Sequence, residues 1–206
     1  MPEIASPEFL ALPLRVHSFL SDVNLHDVWA VDLPAVSGGA TLREFYQRIS
    51  RVESPGRISW PSRVLFGLRF FLGRVFGWDK EPPGCEREYF AERLTDEDRE
   101  RSSVVAGTPE KFFRTVYSFG NETLLEVING TVHAALLSAI VETSRGYRFY
   151  FAVYVRKRSW VTPIYMALIE PFRKWFVYPA VLRQVERNWS RAFHCGAGEA
   201  PEIKER

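Results

Sequence analysis

Three turn dipeptides constrain this chain more than any other feature. Gly120-Asn121, Asn129-Gly130 and Arg145-Gly146 separate runs rich in Val, Ile, Phe, Tyr and Thr at residues 112–119, 122–128, 131–143 and 147–158. Short turns between β-branched and aromatic runs predict a meander of about four antiparallel strands. A long helix follows, opened by Thr162 as N-cap and Pro163 at the first helical position, and reaching about Phe193. Its apolar residues Tyr165, Ile169, Phe172, Phe176, Pro179 and Leu182 recur at spacings of three and four. Pro171 and Pro179 lie inside it and should kink or break it.

Upstream, residues 26–33 alternate as a strand does and stop at Pro34. After the Ser37-Gly38-Gly39 break, residues 41–49 read as a short helix. Thr41 is its N-cap, and Glu44 three residues on completes a capping-box pattern. Pro61 introduces an apolar stretch at 64–78, interrupted by Arg69 and Arg74. A membrane span needs about 20 mostly apolar residues, so this is read as a helix buried against other elements, with an interfacial helix as the alternative. Residues 86–107 form a polar insertion, with a strand near Tyr89 and a helical turn capped by Thr95. The first 25 residues, broken by Pro2, Pro7 and Pro13, read as an extended surface arm. The expected organisation is an arm at 1–25, one domain at 26–193 and a tail at 194–206.

Composition narrows the function. With 206 residues, 46% hydrophobic, the chain is long enough to bury a core without disulfides or a structural metal. Sixteen Phe, eight Tyr and six Trp exceed what a minimal core needs, which suits a large apolar cavity or an interface. A net charge of +2 gives no reason to expect nucleic-acid binding. Between residues 145 and 191, however, ten Lys or Arg face only Glu170 and Glu186. That is a solvated face, or one that meets an anionic ligand, a membrane surface or an acidic partner. No secretory signal is visible, so the cytoplasm is the expected compartment, and the N-x-S/T matches at Asn121, Asn129 and Asn188 carry no glycan expectation. Cys85 and Cys195 have no metal or redox spacing, and no glycine-rich phosphate loop or nucleophile motif is present. No metal and no cofactor are expected.

A strand, two helices, an antiparallel meander and one long C-terminal helix is the order of an α+β helix-grip domain, a curved sheet wrapped around its last helix. The stretches NGTVHAALLSAIVE (129–142), GYRFYFAVYVRKRSW (146–160) and TPIYMALIEPFRKWFVYPAVLR (162–183) resemble the bacterial family called domain of unknown function 2867. RVLFGLRFFLGRVFGWD (63–79) is similar to its upstream helix. The resemblance covers about residues 26–193 and implies a START-related, polyketide-cyclase-like (SRPBCC) helix-grip fold. It brings no activity and no catalytic residue.

Within the meander, a two-residue turn at Asn129-Gly130 would set Glu126 directly across from His133, and the Gly120-Asn121 turn would set Thr115 beside Glu126. Period-2 sorting then gives an apolar face with Phe113, Thr115, Tyr117, Glu126, His133, Phe149 and Phe151, expected to turn toward the long helix. Glu126 and His133 are the candidate acid and base; they could equally satisfy one another or line a pocket. On the helix, Tyr165, Met166, Ile169, Phe172 and Phe176 form the facing wall as core or pocket lining, while Glu170 and Arg173, flanking Pro171, could pair with each other, satisfy carbonyls freed by the kink, or reach a ligand.

Three functions follow as expectations. The first is binding of a hydrophobic small molecule of lipid, isoprenoid or polyketide kind, with Thr115, Tyr117, Glu126, His133, Phe151, Tyr165, Met166, Ile169, Phe172 and Arg173 as contacts. The second is a cofactor-independent cyclase, dehydratase or isomerase using Glu126 and His133. The third is a module that docks on a protein or, peripherally, on a membrane.

Overall fold

The expected meander forms and gains two further strands: the chain's first strand closes against its last, and a two-residue strand extends the opposite edge. The computed structural model describes residues 4–36, 38–52, 88–110, 113–128, 132–157, 163, 166, 167, 170, 171 and 173–194. Strands β1 (Asn24–Pro34), β2 (Pro109–Glu110), β3 (Phe113–Ser118), β4 (Glu122–Ile128), β5 (Val132–Thr143) and β6 (Gly146–Lys157) form one antiparallel sheet. Its order is β1-β6-β5-β4-β3-β2. The chain is thus α+β, and both sheet faces are covered, as the near-continuous apolar run of β5 requires.

One face, the arm side, carries α1 (Ser6–Leu10), α2 (Arg15–Phe19), a 3-10 turn (Phe90–Arg93) and α4 (Asp96–Arg101). The other, the helix side, carries α3 (Leu42–Val52) and the C-terminal helix α5 (Tyr178–His194). The arm is therefore not extended: it is two short helices whose Phe9, Val16 and Leu20 are core residues. Pro7 sits in the first turn of α1, where its missing N–H costs nothing. The strand expected near Tyr89 is the 3-10 turn, with Tyr89, Phe90 and Ala91 buried. Thr95 does cap α4, its hydroxyl accepting from Asp98 N–H at 3.2 Å. The capping box also forms: Glu44 N–H donates to Thr41 Oγ1 and Thr41 N–H to Glu44 Oε2, both at 3.2 Å. The stretch 64–78 and both cysteines lie outside the described residues.

Two positions depend on backbone geometry. Gly146 pairs with Pro34 at φ +139°, and a Cβ there would lie 2.5 Å from the Leu33 carbonyl oxygen and 2.6 Å from Ala35 N. Both obstacles are backbone, so Gly146→Ala should cost about 2 kcal/mol, read as a lower urea midpoint with unchanged slope. The second position is Pro179. It has no N–H for the carbonyl of Trp175 four residues back, and its ring crowds that carbonyl. The preceding turn widens in response: Arg173–Val177 is π-helical, and α5 continues from Tyr178. The expected disturbance is thus a wider turn, not a sharp kink.

His17 in α2 lies edge-on to Phe9 with ring centroids 4.9 Å apart, and burial lowers its pKa below 6.5. His26 shifts the same way, through burial and then the nearby Arg173 charge. An unfolded histidine takes up a proton as pH falls through about 6.5 while the folded one resists, so stability declines from there until the folded pKa is reached. Urea unfolding should show less stability at about pH 5 than at pH 7, and His17→Leu should flatten part of that decline. An identical slope in the variant would sink the assignment.

Candidate functional site

The two-residue turn between β5 and β6 decides which residues share a face. Thr143 pairs with Gly146, so odd residues of β5 pair with even residues of β6. His133, Ala135, Leu137 and Ala139 therefore stand with Arg156, Tyr154, Ala152 and Tyr150 on the arm side. Phe149, Phe151, Val153 and Val155 stand with the even residues of β5 on the helix side. The single face expected to join Glu126 and His133 to Phe149 and Phe151 does not exist.

Glu126 and His133 are nevertheless together. Ile128, not Glu126, pairs with His133, and Glu126 pairs with Ala135. This slip of two residues from the expected register keeps both side chains on one face. His133 Nε2 lies 2.8 Å from Glu126 Oε2, and both side chains are fully buried. The carboxylate also accepts the N–H groups of Phe90 at 2.8 Å and Ala91 at 3.1 Å, capping the 3-10 turn. The His133 ring stacks on Phe90 at 3.8 Å, and its Nδ1 has no hydrogen-bond partner among the described residues. Arg93 and Arg156 flank Phe90, each 5.2 Å from its ring, and both donate to Asp22. The pair is thus spent on holding a turn against the sheet.

Four residues further back on β4, Glu122 does the same for α2, accepting Arg15 N–H at 2.7 Å and Val16 N–H at 3.5 Å. Burial pushes its pKa up, and Tyr117 Oη lies 3.5 Å from it. Tyr117 is fully buried on this same arm side. Thr115 is not beside Glu126. A bulge between Thr115 and Tyr117 shifts the register by one, so Thr115 pairs with Leu125 and Arg114 with Glu126.

The helix side offers a different constellation. Asp27, Trp29, Val31 and Leu33 alternate along β1 toward α5, and Asp27 is a buried charge in that apolar stripe. Arg173, on the inner side of the π turn, donates through Nη2 to Asp27 Oδ2 and through Nε to Tyr178 Oη at 2.6 Å. Tyr178 Oη in turn donates to Asp27 Oδ2 at 3.3 Å, and burial pushes its pKa up. Among the described residues, Arg173 Nη1 meets only a soft acceptor, Met166 Sδ at 3.8 Å. Trp29 Nε1 is buried with no hydrogen-bond partner among the described residues, and its ring lies 5.3 Å from that of Tyr178. Phe151 packs on Tyr178 at 5.7 Å. Glu170 pairs with Lys174 at 2.9 Å, not with Arg173 as expected.

Next to this cluster, a recess of about 340 Å³ opens between the start of β1, the end of β6 and the segment before the π turn, lined by Leu25, His26, Val155, Met166, Ala167 and Glu170. Deeper in the sheet, Thr123, Leu125 and Val127 of β4 and Ala134, Leu136 and Ser138 of β5 are half-buried, while their alternating arm-side neighbours are fully buried. Tyr46 of α3 is 40% exposed, and burial of its hydroxyl end raises that group's pKa. A larger recess of about 500 Å³ lies beside Gly38, Gly39 and Thr41, where Tyr147 Oη accepts Ala40 N–H at 2.9 Å.

The ten expected contact residues are thereby divided. Tyr117, Glu126 and His133 are on the arm side; Thr115, Phe151, Met166 and Arg173 are on the helix side; Tyr165, Ile169 and Phe172 lie outside the described residues. Asp27, Trp29, Tyr46 and Tyr178 were not anticipated. Asp27 was findable, as the charged residue in the period-2 stripe of β1. Tyr178 was not, because residues five apart face different ways on an α-helix and meet only across a π turn.

No helix among the described residues is long and apolar enough to cross a membrane. No curated protein and no solved structure matches the chain. A family model does, described as "Protein of unknown function (DUF2867)", over residues 19–180. That span runs from the end of α2 through the sheet and the π turn into α5, and the chain belongs to this family.

Proposed function

We propose that the chain binds a largely apolar small molecule, of lipid, isoprenoid or polyketide kind, between the helix side of its sheet and the C-terminal helix. In this reading the domain is a helix-grip module of the START or polyketide-cyclase type. The element order supports it: a strand, a helix, the meander, then a long helix, with β1 hydrogen-bonded to β6. The observation that carries the reading is the half-burial of Leu125, Val127, Ala134, Leu136 and Phe151 on one sheet face, with Tyr46 of α3 40% exposed. Apolar groups left part-accessible on a sheet face that a helix packs against are what an apolar ligand covers. Asp27, Arg173 and Tyr178 supply the polar end, where the spare guanidinium donors and Trp29 Nε1 suit an acceptor oxygen on the ligand.

Native mass spectrometry of the purified chain should show a co-purifying small molecule. An environment-sensitive apolar dye such as anilinonaphthalene sulfonate should bind, and Leu136→Trp or Ser138→Phe, each adding bulk to the half-buried helix-side face, should weaken it at least about tenfold. Val105→Asp, at an exposed site, should leave binding unchanged. Failure of the dye to bind, or equal binding by the bulkier variants, would overturn the proposal.

A further inference from the structure

The π turn carries Arg173 inward and two aromatic rings outward. Trp175 is 75% exposed and Phe176 57%, next to Lys174. Exposing one large ring is ordinary; two consecutive rings, displayed by a turn that Pro179 widens, form an apolar projection. The outer surface of α5 continues from it. Arg183, Arg187 and Arg191 are exposed at intervals of four residues, one helical turn apart, and Phe176 precedes Arg183 by about two turns. Glu186 is the only acid within α5, whose opposite side is packed through Tyr178, Leu182 and Trp189. The result is an aromatic tip followed by a row of three guanidinium groups, on one side of the molecule.

We propose that this face docks peripherally on an anionic lipid surface, with Trp175 and Phe176 in the headgroup region and the three arginines on lipid phosphates. Aromatic rings favour the membrane interface, where an apolar body meets water, and basic residues near an anionic leaflet add attraction that salt screens. The three guanidinium groups follow one another along one exposed face of α5 and are of one sign, which matches an anionic layer. The docking does not depend on any ligand on the helix side of the sheet, although the same turn borders both.

The test is co-sedimentation of the full chain with vesicles of phosphatidylcholine alone and of phosphatidylcholine with about one-third phosphatidylglycerol. Binding is expected to the anionic vesicles only, and to fall as salt rises. Trp175→Ala/Phe176→Ala should reduce partitioning about tenfold, and each of Arg183→Glu, Arg187→Glu and Arg191→Glu by about fivefold or more. Arg43→Glu, on α3, should leave it unchanged, with all variants sharing the parent's thermal midpoint. Equal binding to neutral vesicles, absence of binding to both, or an equal loss in Arg43→Glu would overturn the proposal; the last would reduce the effect to net charge.

Discussion

Replacing Glu126 with Ala should cost about 4 kcal/mol, a large share of the total stability of a domain this size. The carboxylate accepts two backbone N–H groups and the His133 ring, so its removal strands three buried donors at once. Glu126→Gln keeps the volume and one acceptor and should cost about half as much. His133→Phe should cost less than His133→Ala, because it preserves the stack on Phe90 while losing a single hydrogen bond. Urea unfolding measures all four. Hydrogen exchange at Phe90 and Ala91 should rise in Glu126→Ala well beyond the global change if the turn is released locally. A cost below about 1 kcal/mol for Glu126→Ala would show that the pair does not hold the turn.

The second large effect is expected at Asp27 and Arg173. Asp27→Leu leaves the buried Arg173 guanidinium without its countercharge, and Arg173→Met removes the guanidinium that faces the buried Asp27 carboxylate; each should cost about 3–5 kcal/mol. The double replacement Asp27→Leu/Arg173→Met should cost far less than the sum, because no uncompensated charge remains. Tyr178→Phe should cost less than either single change, since it removes neutral hydrogen bonds and keeps the ring against Trp29 and Phe151. Strict additivity in the double variant would mean the two residues are not coupled, contrary to their direct contact.

How far the sequence carried the site depended on which interactions were local. Thr41 with Glu44 and Thr95 with Asp98 are read three residues apart along the chain, and both caps form. The pairing of Glu126 with His133 was near the mark because a two-residue slip preserves the face, although the partners in the ladder changed. Thr115 was misplaced because one bulged residue reverses the faces of half a strand, and nothing in the run from Phe113 to Ser118 announces it. The orientation of the whole arm side was missed for another reason. Short helices of five residues such as α1 and α2 have too little pattern to identify alone, and they persist here because Glu122 and the buried Phe9 and Val16 dock them.

Alternation, turn dipeptides, capping residues and prolines by themselves determined that the chain is an α+β meander closed by a C-terminal helix disturbed at Pro179. These are features of near neighbours along the backbone, where stereochemistry allows few answers. Only the tertiary structure decided what each face of the sheet meets. Cross-strand parity put Glu126 and His133 under the arm, and the widened turn brought Arg173 and Tyr178 to Asp27, a residue about 150 positions away in the chain. The physical reason is that β periodicity defines two faces without saying which layer covers either one. That choice rests on the free energy of burying distant segments against them, which no local pattern encodes.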